Sequence, residues 1–96
     1  MVLGICRLDF HIHQSSSLKE KRQVIKSVMG KVKSRFNVSI AEIGDHELRQ
    51  KSCIGICVIG NERAYINSVL DRIINYVEAL NIAEMVNHTI EIESYS

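Results

Sequence analysis

The chain has 96 residues, 46% of them hydrophobic and 24% charged, with a net charge of +1; that is the size of one ordinary domain, too short for two cores with a cleft between them. No stretch approaches the ~20 apolar residues that cross a bilayer, and Met1 to Cys6 shows no basic leader, which predicts a water-soluble cytoplasmic chain without a membrane partner. The small net charge hides an asymmetry: residues 17–36 hold seven bases against Glu20 alone, a net of +6, while the rest holds five bases and ten acids, a net of −5, so an anionic partner should meet that segment first.

In chain order, the even positions Val2, Gly4, Cys6, Leu8, Phe10 and Ile12 alternate with Arg7, Asp9 and His11, the period of a first strand with one buried face. Gln14 to Ser17 breaks the pattern, and Ser17-Leu18-Lys19-Glu20 has the spacing of a capping box, which predicts a helix from Leu18. Leu18, Ile25, Val28, Met29, Val32 and Phe36 form one apolar stripe that carries this helix to about Arg35. Gly30 within it reads as a mark of close packing. Val38 to Ile43 is a short second strand, stopped by the turn signal Gly44-Asp45. A polar link from His46 to Lys51 leads into the apolar run Cys53 to Ile59, read as a central strand covered on both faces. Asn61 is placed to cap a second helix over about 61–80, whose stripe is Ile66, Val69, Leu70, Ile73, Ile74 and Val77. Thr89 to Glu93 alternates as a final half-exposed strand.

The order β-α-β-β-α-β, with helices of similar length, predicts an α+β, ferredoxin-like single domain: a four-stranded antiparallel sheet with two helices on one face and the first and third strands central. Cys53 and Cys57, four apart on one strand, stand roughly 13 Å apart and cannot bridge. Three cysteines without a Cys-x-x-Cys pair read as buried free thiols rather than as a redox or zinc site.

The blocks Ser17-Leu18-Lys19-Glu20-Lys21-Arg22, Arg35-Phe36-Asn37-Val38-Ser39 and Ala41-Glu42-Ile43-Gly44-Asp45 occur in order, and through them the chain resembles the YlxP-like family of uncharacterised bacterial proteins over nearly its whole length. The resemblance implies the same ferredoxin-like fold and no known activity. Members look like neighbours of ribosome-maturation and translation genes, which implies RNA or ribosome association by context alone.

Four bases of the first helix, Lys19, Arg22, Lys26 and Lys33, fall within about 60° of one another beside the apolar stripe, at ~100° per residue. Such a ridge can neutralise phosphates of RNA without reading sequence; equally, it can be a solvated face whose long stems cover the core edge. No aromatic pair on a strand offers a base-stacking platform. His11 and His13, two apart at a strand end, share a face and could both reach a metal, but spacing supplies no third ligand, so no metal and no cofactor is expected. The loop His13 to Ser17 lacks the glycine and arginine of a phosphate-cradling acylphosphatase loop, and Asp45-His46-Glu47 reads as a hydrated turn. The chain is therefore read as a non-catalytic accessory protein that touches RNA or the ribosome through its first helix, the alternative being a small-molecule-binding or structural homodimeric module. On the sheet face that the helices leave open, Leu3, Ile5, Cys57 and Ile59 form an apolar cluster that Ala41 and Ile43 extend. A patch of this kind predicts a twofold homodimer through the open sheet face.

Overall fold

The computed structural model describes residues 1–13 and 15–96; Gln14, part of the expected break after the first strand, lies outside the described residues. The elements run β1 (Val2–His11), α1 (Leu18–Arg35), β2 (Ser39–Gly44), β3 (Lys51–Gly60), α2 (Arg63–Leu80) and β4 (Glu84–Ser94). Their antiparallel sheet has the order β2-β3-β1-β4, with β1 and β3 central. This is the α+β ferredoxin-like arrangement that the sequence periodicities predict.

The even residues of β1 face the helices. Cys6, Leu8 and Phe10 are buried there with Ile54, Ile56 and Val58 of β3, and they join the stripes of both helices in one apolar cluster. At Gly4 the approach of α2 is so close that a β-carbon would press into Ile66 and Leu70; glycine at this position is what lets the helix settle on the strand. α1 starts as the capping box requires, with Ser17 Oγ accepting the Glu20 N–H at 3.1 Å. The Glu20 carboxylate reaches back one residue further than expected, to the N–H and hydroxyl of Ser16 at 3.0 and 2.9 Å. Those bonds hold its pKa below the usual carboxylate value.

Four local expectations are corrected. Glu62, not Asn61, occupies the N-cap of α2 and makes no side-chain bond to the helix; the chain is still extended at Glu62, so helix entry is delayed beyond the better capping residue. Gly30 has nothing within 4 Å of where a β-carbon would sit, so it marks no close packing. β3 is covered on its helix side throughout, but on the other face only Cys53 at its start is buried, and Ile59 near its end is 64% exposed. β4 begins at Glu84 rather than near Thr89, because a register shift between Asp9 and Phe10 of its partner interrupts the alternation that would have announced it.

Candidate functional site

Lys19, Arg22, Lys26 and Lys33 are all exposed on α1. The opposite flank of the helix is occupied: Glu20, Gln23 and Val24 border a cleft shared with Asn81 to Glu84, and Arg35 lies over the Tyr76 ring of α2, 4.9 Å from its centroid. The ridge therefore points away from α2. Among the described residues no carboxylate comes within ion-pairing distance of any of its four cations.

One base of α1 behaves differently. Lys21 is fully buried, and its Nζ donates to the carbonyl oxygens of Asp45 and His46 at 2.6 and 3.3 Å and pairs with Glu42 Oε2 at 3.0 Å. Glu42 in turn accepts from the buried Ser52 hydroxyl at 2.6 Å. Desolvation is the largest single influence on Glu42 and pushes its pKa up, but the bonds from Ser52 and Lys21, with the charges of Lys21 and His46, outweigh it and leave the group below the usual carboxylate value. A buried charge is tolerable only when paired and fully bonded, as this one is. Asp45, at φ 60°, is left-handed, so Lys21 ties the start of α1 to the strained turn after β2. Sequence reasoning counts Lys21 as one more base of the basic segment, because its partners lie 21 to 25 positions downstream.

On the open face, Leu3 stands opposite Ile59 and Ile5 opposite Cys57. Ala41 pairs with Gly55, and the Ile43 side chain lies across that glycine. Ile5, Ile43 and Ile59 are 41%, 52% and 64% exposed. The apolar residues thus make a diagonal band from the Leu3–Ile59 end of the sheet to Ile43. Glu91 and Glu93 of β4, opposite Ile5 and Leu3, give the band an acidic border, and the Arg7–Asp9 ion pair closes its other side at 3.4 Å.

The thiols are free. Burial pushes Cys6 up to about 11; it does the same for Cys53, where a bond to Asp9 and its charge add to the effect. Protonated, enclosed thiols of this kind serve as small core hydrophobes; Cys57, expected to be buried like them, is only half-buried, because it points to the open face of the sheet.

At the far end of the sheet His11 and His13 come together, ring centroids 3.9 Å apart. The structure adds a residue that spacing does not reveal: Glu84 stands opposite His11 in the β1–β4 ladder, and its Oε1 meets His13 Nε2 at 2.9 Å. These side chains sit at the mouth of an open cleft of about 690 Å³, walled by Ile12, Val24, Ile82 and Ala83. No helix is long and apolar enough to cross a membrane among the described residues.

Comparison with known proteins agrees with the expected resemblance. The family described as "Protein of unknown function (DUF503)" matches residues 3–90. An uncharacterised protein of Bacillus subtilis (strain 168), YlxP, is 32% identical over 78 residues, covering 81% of this chain and 85% of the relative. Among solved structures, a de novo designed protein, Foldit4, superposes with a TM-score of 0.57 at 13% identity, covering 99% of this chain and 98% of its own. A crystal structure of SnoaB, a cofactor-independent oxygenase from Streptomyces nogalater, superposes with a TM-score of 0.50 at 7% identity over 98% and 92% of the two chains. At such identities these structures share the fold alone.

Proposed function

We propose that this chain, which belongs to the DUF503 family of proteins of unknown function, is a cytoplasmic, non-catalytic accessory protein that contacts RNA or the ribosome through the outer flank of α1. The observation that carries this reading is the ridge of Lys19, Arg22, Lys26 and Lys33, exposed and unmatched by any carboxylate among the described residues. Core-covering lysine stems explain cations beside an apolar stripe, but they do not require four of one sign on a flank that carries no acid, Glu20 facing the cleft instead. The ridge would engage phosphates as point charges, so binding should be sequence-tolerant and salt-sensitive. The free thiols are in keeping with a reducing compartment.

Electrophoretic mobility shift with a structured RNA at two salt concentrations tests the reading. If all four cations engage phosphates, affinity should fall roughly 50- to 150-fold between 50 and 200 mM salt. Replacing the four with glutamine should remove most of that slope. Unchanged binding in the quadruple variant would take α1 out of the account.

A second reading concerns assembly and has its own observation, the apolar band of Leu3, Ile5, Cys57, Ile59, Ala41 and Ile43 facing water. Its occupant is proposed to be a second copy of the chain: the band crosses the sheet diagonally, and a twofold axis through it would bury both copies' isoleucines together and leave the helix layers, with their ridges, outward. Sedimentation at micromolar concentration should show a dimer that Ile5→Glu with Ile59→Glu converts to monomer. A monomeric wild type, or a dimeric variant, would sink it.

A further inference from the structure

We propose that His11, His13 and Glu84 form a binding site for a borderline divalent transition-metal ion, Zn²⁺ in the first instance, with its remaining coordination position open to the neighbouring cleft. The site does not depend on the RNA reading, and its residues lie on the flank of the fold away from the basic ridge.

Four features carry the inference. The ligand atoms of the three side chains all lie within 4.8 Å of one another. Imidazole nitrogen and carboxylate oxygen bind zinc at ~2.0–2.2 Å, which sets donors roughly 3.3 Å apart around a tetrahedral ion; the separation found is closed by small rotations of side chains that are exposed or half-buried and that bond, among the described residues, only to one another. The placement is built by the fold rather than by chance at a flexible surface: antiparallel pairing puts Glu84 opposite His11, and His13 follows two residues later, already touching the carboxylate at 2.9 Å. The donor set also has a chemical preference. Two imidazoles with one carboxylate suit zinc and its neighbours in the first transition row, whereas magnesium and calcium need mostly oxygen.

Three protein ligands leave a position free, and here that position opens on the cleft whose walls include Glu20 and Asn81. A water or an anionic oxygen donor would fill it, the arrangement of a zinc ion that keeps an exchangeable site rather than of a closed structural one. Nothing in the core depends on these residues, so the ion would add to a chain already folded. Chelation alone should leave the apo fold intact.

Calorimetric titration of the chelator-stripped chain with Zn²⁺ alone should show saturable binding at one ion per chain, and Mg²⁺ titrated alone should not bind. His13→Ala and Glu84→Gln should each weaken Zn²⁺ by roughly a hundredfold, a loss at the upper end of that seen for mere outer-shell partners, while circular dichroism shows both variants folded. Lys31→Gln, exposed and outside both the cleft and the basic ridge, should bind Zn²⁺ as the wild type does. Co²⁺ substituted for Zn²⁺ should develop the intense visible bands of a tetrahedral ion, lost in His11→Ala. Absence of a one-to-one Zn²⁺ event, equal uptake of Mg²⁺, or Zn²⁺ binding that survives His13→Ala with Glu84→Gln would each overturn the proposal.

Discussion

The two helices rest on the same face of the sheet but are held there by different physics. α2 buries six apolar side chains, Ile66, Val69, Leu70, Ile73, Ile74 and Val77, and enters without any side-chain cap. α1 buries three apolar side chains and a lysine, starts on a serine cap, and is fastened at that end to the β2–β3 turn by the bonds of Lys21. Packing secures the first; polar anchors at one end do much of the work for the second. A helix held in this way can give its outer flank to cations, and α1 does so while α2 does not.

The largest effect should come from the packing of α2. Leu70 is fully buried, against the strand at Gly4, so Leu70→Ala should cost about 3–4 kcal/mol in denaturant unfolding. A loss below about 1 kcal/mol would mean the helix is held otherwise. Next comes the anchor of α1: Lys21→Ala strips Glu42 of its buried partner and two carbonyls of their donor, at a cost of about 3 kcal/mol. Lys21→Met, which keeps the volume, should recover only part of it.

The same anchor has a signature in pH. Because the folded-state pKa of Glu42 lies below its ordinary value of 4.5, its contribution is present at neutral pH and is lost as pH falls through the depressed folded value. Wild-type stability should therefore drop on acidification more steeply than that of Lys21→Ala; parallel pH profiles would break the assignment. The smallest effects test the ends and middle of α1. Ser17→Ala should cost about 1 kcal/mol. Gly30→Ala, with open space at the β-carbon and no positive φ, should instead stabilise by about 0.5–1 kcal/mol, and destabilisation there would reveal a contact not seen in the monomer.

What the sequence disclosed, and what it hid, follows the range of the physics involved. The buried face of β1 was legible because alternation is local, and the bounds of α1 because a cap and an apolar stripe lie within a few residues of each other. Residue type favours Asn61 as the N-cap of α2 and the structure uses Glu62, one position on, since the two differ only in how the chain leaves β3. Lys21 was hidden entirely: nothing within a turn of the helix signals that Glu42, Asp45 and Ser52 will enclose it. Glu84 was hidden in the same way, brought to His11 by ladder pairing across 73 positions. The candidate sites differ accordingly. The ridge lies on one helix and could be found by counting, the apolar band needed only strand order, and the histidine–glutamate cluster required the register of β4.

That register has a consequence for the rims of the sheet. β4 offers an outer row of unpaired amides eleven residues long, the kind of template on which another strand could be laid. The irregularity opposite Asp9 and Phe10 breaks the row, and Glu84, Glu91 and Glu93 line it with negative charge. β2, the other rim, has six residues, its own irregularity between Glu42 and Gly44, and then the left-handed turn at Asp45. β2 presents no long flat run, and the unbroken stretch of β4 from Asn87 to Ser94 carries Glu91 and Glu93, so on that rim charge rather than shape should oppose open-ended strand addition and growth into fibrils.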